Sequence, residues 1–141
     1  MTAADHAGGC RFPPRAVRDV RIHHVRQTSC GGPFAIVRLD VEPLPDDEFA
    51  PVVFDWPVRD RQRNRDLRAP AGYPREWLPD AYARAWERGV RGALDALPAG
   101  LRAAAWCTVV EARWHEVDSH ERGFEEAGAM AVREVLRRTG Y

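Results

Sequence analysis

The sequence predicts an α/β chain folded as an α+β two-layer sandwich, element order βββαβα, with a four-stranded mixed sheet and two helices on one face. Three observations predict it. Four short stretches alternate apolar and polar residues, as half-buried strands do. Two longer stretches repeat apolar residues at helical spacing and stop at Pro or Gly. Every element then has one apolar face, and laying both helices on the same side of one sheet is the simplest way to bury them all. At 141 residues the chain is one domain by size.

Residues 1–15 are small, polar and broken by Gly and Pro, so a flexible lead-in is expected, with the folded domain running over 16–141. From Val17 to Thr28, Val20, Ile22 and His24 alternate with Asp19, Arg21 and His23, which predicts the first strand. Ser29-Cys30-Gly31-Gly32-Pro33 is a turn, and Phe34 to Glu42 is the return strand, with Val37, Leu39 and Val41 facing inward. Val52, Phe54, Trp56 and Val58 predict a third strand. Residues 59–73 follow as an inserted, Arg-rich loop, in which Arg59, Arg61, Arg63, Arg65 and Arg68 outnumber Asp60 and Asp66.

A helix is expected from Pro79, which suits a first helical position, to Leu97, with Tyr82, Trp86, Val90, Ala93 and Leu97 as its buried stripe. Arg102 to Trp114 reads as the last strand, with Trp106, Val110 and Ala112 inward. The second helix takes the chain to Thr139 and ends at Gly140. Asp118 and Glu121 match a capping box at its start, and Phe124, Ala127, Gly128, Ala131, Val135 and Leu136 form its apolar stripe. The third and fourth strands, joined through a helix, should run parallel, a crossover that is right-handed in about 98% of cases.

The formal net charge is +0, and all 21 basic residues are Arg. Without Lys, a Walker A phosphate loop, Schiff-base catalysis and pyridoxal chemistry are excluded, so no nucleotide hydrolysis and no cofactor are expected. Cys10, Cys30 and Cys107 are odd in number and lack metal-type spacing, which suits a reducing compartment. No stretch has the composition of a signal peptide or the length of a membrane span, so a cytoplasmic location without membrane contact is expected.

Strand direction adds a functional expectation. With the first strand up, the second down, and the third and fourth up, the loops 27–34, 59–73 and 114–119 gather at one tip. That tip would hold Arg26, Gln27, Gly31, Gly32, the Arg tract, Arg113 and His115.

The stretch from Trp114 to Ala131 resembles the corresponding segment of domain IV of bacterial elongation factor G, the translocase, and of the related tetracycline ribosomal protection proteins. Arg26-Gln27-Thr28, the strand into Val41-Glu42-Pro43-Leu44-Pro45, Pro74-Arg75-Glu76-Trp77-Leu78-Pro79, and Glu87-Arg88-Gly89-Val90 with Ala93-Leu94 resemble further parts of that domain in the same order. The resemblance spans about 20–139 and implies a free-standing domain of that kind. It implies a left-handed crossover, as in the second domain of a small-subunit ribosomal protein. It also implies a tip that contacts RNA in the decoding region, with His115 at its extremity, the position modified in the eukaryotic factor. The first tip loop departs from the family, with Ser29, Cys30, Pro33 and Ala35 in place of an Arg and most of the Gly, and the Arg tract is longer than its counterpart.

Three readings follow. The first is a non-catalytic module that binds the small ribosomal subunit or structured RNA and serves translation. The second is a protein-interaction module with the same fold and no RNA binding, which zero net charge and the altered loop favour. The last takes His115, Glu116, Asp118, His120 and Glu121 as hydrolase or metal residues. That five-residue His spacing straddles a turn, unlike the helical HExxH arrangement, so no catalytic or metal site is expected.

Overall fold

The computed structural model describes residues 10–26, 33–46, 50–57, 78–115 and 118–141. Among them lie β1 (Cys10–Phe12), β2 (Val17–Val25), β3 (Phe34–Pro43), β4 (Val52–Asp55), α1 (Asp80–Asp95), β5 (Leu101–Ala103), β6 (Ala105–Arg113) and α2 (Glu121–Arg138). The main sheet has the order β2-β3-β6-β4. β3 is antiparallel to both neighbours, and β4 runs parallel to β6 across the α1 crossover. The mixed four-stranded sheet and its two helices are those expected from the alternation and the helical stripes.

Pleating explains which side chains enter the core. On β3, Ala35, Val37, Leu39 and Val41 are buried, and Ile36, Arg38, Asp40 and Glu42 take the other face. On β2, Val17 and Val20 are both buried although they are three apart. A register shift between them supplies the odd residue, and Asp19 absorbs it at φ 56°, with its N–H donating to Asp40 Oδ1 at 2.8 Å.

β6 departs from the expected pattern for the same reason. Arg38 pairs with Glu111 and Leu39 with Val109, so Val110 is the extra residue of a bulge. Below the bulge Ala105, Cys107 and Val109 point inward, and above it Ala112 does. Of the expected inward set only Ala112 is buried. Trp106 is 37% exposed, beside Val53 on the open face.

The lead-in expected over 1–15 is also corrected, from residue 10 onward. Cys10–Phe12 pairs in parallel with Leu101–Ala103, and Phe12 is buried in the core. The Pro13-Pro14 pair that follows Phe12, joined to it by a cis peptide, makes this stretch read as loop. Ala104 divides the expected last strand in two. Its C=O accepts from Leu44 N at 2.8 Å, in register with the β3–β6 pairs, but its N–H turns away and donates to Phe12 O at 2.9 Å.

The helices pack on one face of the sheet and on each other. α1 buries Ala83, Ala85, Trp86, Gly89, Val90 and Leu94, while Tyr82, Ala93 and Leu97 of the expected stripe lie at the edge of the core. Pro79 is the N-cap residue rather than the first helical one, and its carbonyl accepts from Tyr82 N and Ala83 N. α2 buries Phe124, Ala127, Gly128, Ala131 and Val135 as expected, and Gly123 and Val132 as well. The two axes come together at glycines. A Cβ on Gly128 would lie 2.3 Å from Trp86 O, and one on Gly89 only 1.9 Å from Glu125 O. α1 is held to β4 by Trp56 Nε1, which donates to Glu87 at 2.8 Å, and by the Arg91 guanidinium over the Phe54 ring. No helix among the described residues is long and apolar enough to cross a membrane.

Candidate functional site

Because β3 is antiparallel to β2 and β6, and β4 parallels β6, the chain leaves β2, β4 and β6 and enters β3 at one end of the sheet. Of the predicted tip residues, Arg26, Arg113 and His115 are described there. Gln27, Gly31, Gly32, Arg59, Arg61, Arg63, Arg65 and Arg68 lie outside the described residues.

His115 follows the last residues of β6, and a closed turn holds it. Ser119 N donates to His115 O at 3.0 Å, and His115 N donates to Ser119 Oγ at 2.8 Å. The same hydroxyl donates to Phe34 O at 2.7 Å, tying the turn to the start of β3. Tyr82 of α1 donates from its hydroxyl to Ser119 O at 2.9 Å. Its ring stacks on Phe124 at 5.0 Å and meets Trp114 edge-on at 5.9 Å. Three elements thus fix the backbone beneath one imidazole.

The His115 ring is 39% exposed and lies 5.7 Å from the Phe34 ring. Its Nδ1 accepts from Asp118 N at 3.2 Å, so in the neutral ring the proton sits on Nε2. Asp118 Oδ2 stands 3.5 Å from the same Nδ1. The arrangement makes a positioned, partly exposed hydrogen-bonding ring with an apolar flank, the kind of group that contacts a nucleobase, a phosphate or a polar protein surface.

His120 has another task. It is the N-cap of α2, and its Nδ1 accepts from Gly123 N at 3.0 Å. The expected capping box of Asp118 and Glu121 is therefore corrected: Asp118 serves the His115 ring, and Glu121 reaches Arg88 on α1 at 3.3 Å. An imidazole nitrogen can accept an orphan helix N–H as a carboxylate does, which places the cap two residues later. Among the described residues no three of His, Cys, Asp and Glu converge as metal ligands.

Charges around this end are largely paired. Arg113 contacts Glu111 at 2.8 Å, and Glu111 also accepts from Arg38 at 3.4 Å. Arg26 is exposed at the end of β2, where its N–H donates to Pro33 O at 3.0 Å. Further down the open face, the Arg21 hydrogen bond to Asp19, with Arg38 close by, holds that carboxyl below its ordinary range. Sequence reasoning overlooked Ser119 and Tyr82. Ser119 is a buried polar residue in a turn, and nothing in its neighbours announces the carbonyl it reaches 85 positions earlier in the chain.

The fold and site define a two-layer α+β module that presents a braced histidine at one end of its sheet. No protein-family model matches the chain. Its fold is similar to the crystal structure of ttk003000868, a protein from Thermus thermophilus, with a TM-score of 0.60 and 23% sequence identity. The likeness covers 89% of this chain and 16% of that one, so the chain spans a small part of the larger protein. At that identity the likeness speaks for the fold alone.

Proposed function

We propose that this protein is a non-catalytic RNA-binding module of translation that docks the small ribosomal subunit, or structured RNA, through the His115 end of its sheet. The observation that carries the reading is the bracing of His115. A histidine needed only for packing would be buried, whereas this ring is partly exposed over a turn locked by Ser119 and Tyr82. Preorganised polar groups at a sheet end suit recognition of a fixed partner, because little entropy is lost on contact. The resemblance of 114–131 to domain IV of elongation factor G supports the choice of partner, as does the Arg tract of 59–68, since guanidinium groups bind phosphate and stack on bases. A role as enzyme finds no support in His120, whose Nδ1 is committed to the helix cap.

A protein-interaction module with the same fold is the second reading, and the Arg113–Glu111 ion pair favours it by reducing the cationic character of the tip. Co-sedimentation with purified 30S subunits separates the two. The RNA reading expects saturable association at low salt that His115→Ala weakens. No association at any ionic strength would overturn it in favour of the second.

A further inference from the structure

The edge of the main sheet formed by β2 has an open hydrogen-bonding row bordered by cations. Arg26 N donates to Pro33 O, which makes residues 26 and 33 a hydrogen-bonded pair of the β2–β3 ladder. In an antiparallel ladder such pairs alternate with non-bonded ones. With the register Val25↔Phe34, His24↔Ala35, His23↔Ile36, Ile22↔Val37 and Arg21↔Arg38, the backbones of His24 and Ile22 bond to β3, and those of Val25, His23 and Arg21 face away from the sheet. Lower on the same edge, Arg138 Nη1 donates to Arg18 O at 3.0 Å and covers that part. The row from Arg21 to Val25 has no partner among the described residues.

This row opens into a groove of about 500 Å³ between β2 and α2. Ile22 and Met130 give it apolar surface, while Arg21 and His23 border one side and Arg133 and Arg137 the other. Val20 and Ile22 point under the helices, so Arg21 and His23 project from the opposite face of the strand. An extended segment laid against β2 would therefore have cationic groups on both of its faces. Glu134 in the groove is already held by Arg137 at 2.6 Å and Arg21 bonds Asp19 at 3.1 Å, whereas Arg133 has no acidic partner among the described residues.

We propose that β2 is a docking edge for an extended acidic peptide of a partner protein, added as a fifth strand of the main sheet between Arg21/His23 and Arg133/Arg137. The backbone row supplies affinity, and the arginines select acidic side chains at alternate positions. Two other occupants fit less well. A second copy pairing antiparallel through its own β2 would bring two sets of edge arginines together with no acidic side chains among the outward-facing residues Arg21, His23 and Val25 to offset them, which is unfavourable. A nucleic-acid backbone would gain from the arginines and the outward N–H groups, but it has no donors for the alternating outward carbonyls of Arg21, His23 and Val25, whereas a peptide strand pairs both.

The test is amide exchange by NMR on the ¹⁵N-labelled full chain with an acetylated, amidated, alternating Glu/Val hexapeptide. In the free protein the amides of Arg21, His23 and Val25 should exchange fast and those of Ile22 and His24 slowly. Saturating peptide should slow the first three by about tenfold or more, as edge pairing requires. An Arg133→Glu variant, which alters an exposed side chain, should weaken binding roughly fivefold, equivalent to about 1 kcal/mol. A peptide with Pro at the pairing positions should not bind. The proposal is overturned if millimolar peptide leaves the three amides unchanged, or if the Pro peptide binds equally well. It also fails if oligouridylate protects the same amides in place of the peptide, or if protection grows with protein concentration alone.

Discussion

Replacing Ser119 by Ala removes one buried oxygen that accepts from His115 N and donates to Phe34 O. Each former partner then faces an apolar methyl, and a buried unpaired backbone group costs about 1–3 kcal/mol. Ser119→Ala should therefore destabilise the fold by about 1–3 kcal/mol, read as a lower unfolding midpoint in urea. His115→Ala should cost less, because the ring is partly exposed and water can replace it as the acceptor for Asp118 N. If the two variants ranked the other way, His115 would be a structural residue and the proposed contact role would lose its basis. Cys107 offers a second check at this scale. Burial pushes its thiol up to about 12, so the thiolate is suppressed at neutral pH. Iodoacetamide at pH 8 should alkylate exposed Cys10 in the native protein and reach Cys107 only in denaturant, as read by peptide mass spectrometry. Rapid native labelling of Cys107 would mean that the core under α1 and α2 opens readily. At the residue scale the sequence announces His115 well, since it stands at a strand-to-helix junction beside a polar turn. It hides the His120 cap, because Asp118 is the better capping residue by composition and only geometry shows that its side chain is turned to His115.

Periodicity reveals the α2 stripe almost completely, and its run of small residues points to close packing. What it leaves open is the surface approached, and that proves to be the backbone of α1. Gly128→Ala should be destabilising by about 1–3 kcal/mol or more, because its Cβ would meet Trp86 O at 2.3 Å and neither helix can shift without disturbing the core. The gain in helix propensity of about 1 kcal/mol cannot offset this overlap. Gly92 is the matched control on α1, where an added methyl would have no atom within 4 Å. Gly92→Ala should raise stability by about 0.5–1 kcal/mol, the usual effect of removing a helical glycine. Equal responses from the two variants in thermal unfolding would contradict the close approach of α1 and α2. The strands are less legible than the helices for a definite reason. A single extra residue inverts every following side chain. The Val110 bulge therefore sends Trp106 outward and Cys107 inward, where strict alternation predicts the reverse. β1 escapes notice because three residues paired to a distant strand carry no period of their own.

Across the whole molecule, chain direction sets where the connection carrying the Arg tract leaves and rejoins the described fold, while 58–77 itself lies outside the described residues. β4 ends at Asp55 on the site end of the sheet, and α1 begins there too, since Tyr82 in its first turn bonds to Ser119 O. Both described anchors of the connection are thus on the His115 end. On a chain of formal net charge +0, the proposed RNA binding would draw on such a run of arginines for positive charge. Each phosphate neutralised contributes roughly −0.7 to −0.9 to the slope of log affinity against log salt. Replacing Arg61, Arg63 and Arg65 together by Gln should flatten that slope by about two units if all three meet phosphates. Urea unfolding should hardly change, because exposed charges contribute little to the fold. The measurement is 30S or RNA binding at several potassium chloride concentrations, with wild type and triple variant side by side. A variant that binds with the wild-type affinity and slope would show that Asp60, Asp66 and solvent satisfy the tract, and RNA recognition would then have to rest on His115 alone. A variant that loses affinity equally at every salt concentration would point instead to stacking of guanidinium planes on bases, which carries little ionic-strength dependence.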